Sequence, residues 1–191
     1  MIERSIENTD WIIFLLIGSL ALLSIIKLSF PNRFHRFINL TYRVTFLQLY
    51  NREIDQRHPY IYLSTLLNLI NTSLLLYFIA NKFFPIYKIA GWLGYVKIFT
   101  LYTLFVLGKL WIEKIVGILS RREKQVTKHI FEKLIYRNLI SVYIFILNIL
   151  IAFVLIDSIN LLYFGIISSL ILNLISLLMT YRRKSLDLFP R

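Results

Sequence analysis

WIIFLLIGSLALLSIIKLSF, residues 11–30, holds a single charged residue, Lys27, and its reading decides the fold. The run is too long and too continuously apolar for a strand, and it lacks the period-two alternation of a half-buried one. As a helix rising about 1.5 Å per residue it measures about 30 Å, the thickness of bilayer hydrocarbon. In such a medium a helix satisfies every peptide group within its own segment. Thr9 and Asp10 offer capping oxygens at the start and Pro31 stops the run. Lys27 lies near enough to the end for its ammonium to reach the headgroups. The preceding residues carry Glu3, Glu7 and Asp10 against Arg4, and no Ala-x-Ala-like site follows, so the run reads as a retained span and not a cleaved signal.

Four further stretches have the same character: 60–84, 91–119, 139–156 and 161–181. The composition agrees. Of 191 residues 58% are hydrophobic and 16% aromatic, well above the roughly 45–50% apolar share of a soluble domain. Mean hydropathy is +0.67. Gly 6 and Pro 4 are low counts that permit long helices, and Cys 0 excludes disulfides, thiolate metal sites and thiol catalysis. The expected fold is all-α, a polytopic transmembrane helical bundle of five spans plus two interfacial amphipathic helices, with residues 1–191 forming one integral membrane domain.

Net charge is +12. In a soluble chain that would suggest nucleic acid; beside these spans it points to cation-rich cytoplasmic connections. Lys and Arg alternate between sparse and rich segments. Only Arg4 precedes the first span. Six cations fall between Lys27 and Arg57, two (Lys82 and Lys88) after the second span, eight from Lys109 to Arg137, none at 157–160, and four in the tail. Five spans with the N-terminus outside and the C-terminus cytoplasmic reproduce that alternation, in a bacterial inner membrane.

Two connections exceed simple turns. Residues 32–52 interleave Phe34, Phe37, Tyr42 and Phe46 with Arg33, Arg36 and Arg43. Residues 120–137 group Val126, Ile130, Phe131 and Leu134 among Arg121, Arg122, Lys128 and Lys133. Both read as amphipathic helices in the membrane interface, or as juxtamembrane helices packing beneath the bundle. The basic residues Arg33, Arg36, Arg43, Arg121, Arg122 and Lys128 are the candidate contacts for anionic headgroups on the cytoplasmic side, at about 1 kcal/mol per charge.

Candidate chemistry inside the spans is sparse. Lys109 and Glu113 share a helix face and form a candidate intramembrane polar pair. It marks an ion path or a docked partner helix, or it sits at the cytoplasmic headgroup level if the third span ends near Leu110. Asn68, Asn71 and Thr72, with Ser73 beside them, give the second span a polar face that either lines a cavity or hydrogen-bonds a neighbouring helix. Asn173 is read the same way. His35, His58 and His129 have no partner at metal-ligand spacing, and no Gly-rich phosphate loop or nucleophile elbow occurs. The chain therefore reads as no enzyme, with no cofactor, no metal and no nucleic acid as partner.

The order of features resembles a catalogued family. Asp10-Trp11 opening the first span, Leu49-Tyr50-Asn51-Arg52-Glu53 before the second, and a long third span leading to Phe131-Glu132-Lys133-Leu134 are similar to a domain of unknown function found in small polytopic inner-membrane proteins of Bacteroidetes-type bacteria. The resemblance covers nearly the whole chain and implies a location without a mechanism. It also implies a last span with a Tyr-Leu-Cys-Thr-Leu-Glu-like motif, whereas this sequence ends Leu188-Phe189-Pro190-Arg191 with no cysteine. Either the chain stops before a sixth span or the resemblance is imperfect. The expected role is a non-catalytic membrane subunit or scaffold of a cell-envelope complex, engaging lipid and other membrane proteins. The alternative is a small transporter or proton- or ion-conducting protein using the polar intramembrane face.

Overall fold

The computed structural model describes residues 10–32, 34–35, 59–83, 91–121, 123–153 and 163–175, with the side chains at 123–125, 128, 129, 131 and 132 outside the description. The described residues form five long helices: α1 (Asp10–Ser29), α2 (Pro59–Phe83), α3 (Gly91–Leu119), α4 (Glu123–Phe153) and α5 (Tyr163–Ile175). Four of them hold a stretch long and apolar enough to cross a membrane: α1, α2, α3 and, within α4, Lys133–Phe153. The fifth expected span, 161–181, is described only as α5, which at about 1.5 Å per residue is about 20 Å long. Its remainder lies outside the described residues, as does most of the expected interfacial helix at 32–52.

Local chemistry sets the boundaries. Pro59 opens α2 at the first helical position, where a missing N–H is no loss and φ is already set. At Pro31 the ladder breaks as expected, but helical bonding resumes: Phe30 N–H still donates to Ile26 O (3.1 Å), and Phe34 N–H donates to Phe30 O (2.9 Å). Pro31 thus begins the next turn. Gly91 starts α3 at φ +75°, the left-handed region that a side chain makes costly. Its N–H donates to the Tyr77 hydroxyl at 3.2 Å, so α2 caps α3.

The second interfacial helix takes a different form from that expected. Residues 123–153 are one helix, so the segment expected to lie in the interface runs into the fourth span without a break. No Gly or Pro occurs between Glu123 and Phe153, and nothing in the sequence interrupts the ladder where the charge pattern changes. α3 and α4 form an antiparallel hairpin closed by Ser120 N–H to Val116 O (3.0 Å) and Arg121 N–H to Ile118 O (3.1 Å). Arg121 sits at φ 53°, a left-handed turn residue at a helix C-terminus. Beside the turn the helices touch at Gly117, where an added Cβ would lie 2.9 Å from Val126 Cβ.

Three apolar clusters give the order of packing. Ile26, Tyr60, Ile61, Ile135 and Tyr136 meet at one end, and Ile12, Leu16, Leu74, Tyr77, Tyr95 and Phe145 towards the other. α1 is therefore antiparallel to α2, whereas α2 and α4 run in parallel, and Leu75 packs with Ile144, Leu147 and Ile151. α5 returns antiparallel along α4, with Gly165 against Leu147 and the Tyr143 hydroxyl 2.8 Å from Ser168 Oγ. Central α2 and the apolar part of α4 are the most buried elements, while α3 turns Leu93, Leu101, Phe105, Trp111 and Leu119 outward. A contiguous apolar surface of that extent needs lipid or protein to cover it.

Candidate functional site

The polar residues of the interior collect along the parallel contact of α2 and α4. Asn138 Nδ2 donates to Ser64 Oγ (2.9 Å) and Thr65 Oγ1 (3.3 Å). Asn68 Nδ2 donates to the main-chain oxygen of Arg137 (2.8 Å), and Asn148 Nδ2 to that of Asn71 (2.9 Å). Asn71 turns its own amide back to Leu67 O (2.9 Å). Parallel helices make this ladder possible because equivalent depths stay level along both. Bonds of this kind between helices in an apolar medium contribute about 0.6 kcal/mol on average and at most about 1.7.

The same ladder is short of donors. The Oδ1 atoms of Asn68, Asn71, Asn138 and Asn148, together with Thr72 Oγ1 and Ser73 Oγ, are buried and accept no hydrogen bond. The four asparagines are 3% exposed or less. Each unsatisfied buried acceptor costs about 1–3 kcal/mol, so water or a cation drawn into the seam would find neutral oxygen ligands waiting. Of the expected polar face, the Asn68 side chain and the Asn71 main-chain oxygen bond to α4, the Asn71 amide bonds within α2, and the Thr72 hydroxyl has no partner. Asn173 differs: it is exposed and its amide donates to Ser169 O on its own helix (2.8 Å).

One group of ionisable residues lies where the α3–α4 hairpin closes. The expected partner of Glu113 is corrected there. Glu113 Oε1 accepts from Lys133 Nζ at 3.0 Å, across the hairpin, while Lys109 is exposed. Intrahelical spacing permitted the Lys109 pairing, but the hairpin brings a second lysine to the inner face. Arg137 follows one turn after Lys133. Its Nε and Nη2 are buried without a partner, and Tyr102 and Glu113 are near enough to act on it electrostatically.

Aromatic rings gather at the other end. Trp11 stands edge-on to Tyr77 (5.0 Å between centroids) and Trp92 (6.0 Å), with Tyr95 at 5.6 Å. From Trp92 to Glu113 along α3 is about 30 Å. The rings and the ion pair are therefore separated by the thickness of bilayer hydrocarbon, as interfacial anchors on opposite faces would be.

Among the headgroup candidates, Arg121 is described and exposed in the hairpin turn; Arg33, Arg36, Arg43, Arg122 and the Lys128 side chain lie outside the described residues. Among the described residues no group of three or more His, Asp and Glu is placed to hold a metal ion. Arg137, Asn138 and Asn148 were not singled out from the sequence. Asn148 alone left a signal there, a lone amide in the apolar run 139–156.

The chain belongs to a family catalogued as a domain of unknown function, DUF4271, which matches residues 12–188. No curated protein and no solved structure matches it.

Proposed function

We propose that the chain is a non-catalytic integral membrane subunit or scaffold of a cell-envelope complex. Its seat is the inner membrane of a bacterium, spanned five times, with the N-terminus outside and the basic end in the cytoplasm. The observation that carries the reading is where the polar groups are used. Buried amides donate to neighbouring helices, and the ionic cluster stands about 30 Å from the aromatic end, the separation that groups at opposite headgroup levels would have. Polar groups so placed hold a bundle together and anchor it, with anionic lipid at the basic end and protein or lipid along the outward face of α3. Purification in mild detergent should retain a defined protein partner; a bare monomer in repeated preparations refutes the reading.

The unpartnered oxygens of the α2–α4 seam favour a second reading, conduction of an ion or proton. Flux into liposomes separates the two. Under the scaffold reading Asn71→Leu with Asn148→Leu, and Lys109→Leu with Glu113→Leu, leave flux at the level of empty liposomes, as the wild type does. Wild-type flux that either pair abolishes establishes conduction instead.

A further inference from the structure

Three charged side chains meet where α3 and α4 close at the basic end: Glu113, Lys133 and Arg137. Their sum is one positive charge. Among the described side chains the other carboxylate is Asp10, next to Trp11 at the opposite end. Glu113 is engaged with Lys133 at 3.0 Å. Arg137 lies four residues after Lys133, on the same face of α4. Its Nε and Nη2 together form the guanidinium edge that grips a carboxylate or phosphate through two parallel hydrogen bonds. That edge is closed from the surface and has no partner. A buried cation without a hydrogen-bonded counter-charge is strongly disfavoured, so among the described side chains the cluster is one anion short.

We propose that this cluster binds one phosphate-type anion, and that it does so by exchanging partners. The incoming anion takes Lys133, and Glu113 crosses to the open edge of Arg137. Exposure sets that assignment: the Lys133 side chain is 32% exposed, whereas the Arg137 edge cannot be reached from outside. Proximity allows the second half, because Glu113 is held by Lys133, one turn before Arg137 on the same face of α4. After the exchange four charges stand in two pairs. The anion is either the headgroup of an acidic phospholipid, since Lys133 marks the start of the apolar stretch of α4, or dissolved phosphate. The inference depends on the geometry of this end and not on the scaffold reading.

The test uses the full chain in nanodiscs of phosphatidylcholine alone, of phosphatidylcholine with phosphatidylglycerol, and of phosphatidylcholine with inorganic phosphate added at ionic strength matched by chloride. Unfolding midpoints are measured for the wild type, Glu113→Gln, Lys133→Gln, Arg137→Met and the double variants that complete two mutant cycles. In phosphatidylcholine alone the coupling lies between Glu113 and Lys133. The anion raises the wild-type midpoint, moves the coupling to Glu113 and Arg137, and loses its effect in Lys133→Gln but keeps it in Lys133→Arg. The same shift with phosphatidylglycerol only identifies the headgroup, and with inorganic phosphate the free ion; either supports the site. An unaltered wild-type midpoint in both arms, or a full rise retained by Lys133→Gln, overturns it. Should Arg137→Met fail to fold, native mass spectrometry of phosphatidylglycerol kept through detergent exchange gives the second measure: equal retention by wild type and Lys133→Gln again overturns the proposal.

Discussion

Replacing Gly117 by alanine tests the closest approach in the α3–α4 hairpin. The new Cβ would stand 2.9 Å from Val126 Cβ, 3.1 Å from Cγ1 and 3.3 Å from Cγ2. Carbon atoms attract best at about 3.5–4.0 Å, so the helices must part by roughly half an ångström or more. Valine cannot swing away, because a β-branched residue in a helix has one strongly preferred χ1. Overpacking of this kind costs about 1–3 kcal/mol, against a gain of up to about 1 kcal/mol from replacing helical glycine. Gly117→Ala should therefore destabilise the bundle by up to about 2 kcal/mol. In a Val126→Gly background the obstacle is gone and the same change should stabilise by up to about 1 kcal/mol. The assay is reversible unfolding in mixed micelles, with the four proteins forming a double-mutant cycle. An effect of Gly117→Ala that is equal in the two backgrounds to within about 0.5 kcal/mol refutes the contact.

Other expectations follow from the same geometry. Gly165→Ala meets Leu147 Cδ2 at 2.9 Å, but this is the end of a flexible side chain, so the loss should stay below about 1 kcal/mol in the same unfolding assay. Asn148→Ala removes the bond to Asn71 O and should cost about 1–2 kcal/mol; Asn148→Leu, which also removes the unpartnered Oδ1, should cost less than alanine does. Arg121→Gly relieves the left-handed φ of 53° and should raise stability by about 0.5–1 kcal/mol, with the gain seen in unfolding and not in lipid binding. Tyr143→Phe breaks the hydroxyl contact with Ser168 and should loosen α5 selectively, read as faster hydrogen exchange at 163–175 than in α2.

What could be read from the sequence was what a single segment decides for itself. α1, α2 and α3 begin and end within about one residue of expectation, because apolar runs are bounded by Asp10, Pro59 and Gly91, each a strong local signal. α4 was divided at the change from basic to apolar composition, but composition does not break a helix; only a missing N–H, a glycine or a cap does so. The site was harder for a related reason. Glu113 was recognisable as an acid in an apolar helix, yet its partner lies 20 residues on, at a position set by a turn. Arg137 looked like one more cation of a basic connection until the continuous helix carried it into the bundle. Asn68 and Asn71 declared a polar face, while the identity of what faces them depended on α4 running parallel to α2.

That parallel pairing has a consequence for how the chain is made. The bonds from Asn138 to Ser64 and from Asn148 to Asn71 join residues separated by 74 and 77 positions. Ribosomes add about 5–20 residues per second, so α2 emerges roughly 4–15 seconds before the helix that engages its amides. Through that interval Ser64, Asn68, Asn71 and Ser73 have only α1, α3 or the insertion machinery for company. Biogenesis should therefore pass through a stage in which the second segment is held by the translocon or an insertase until the fourth arrives, and crosslinks from α2 to that machinery should vanish only once synthesis has cleared Asn148.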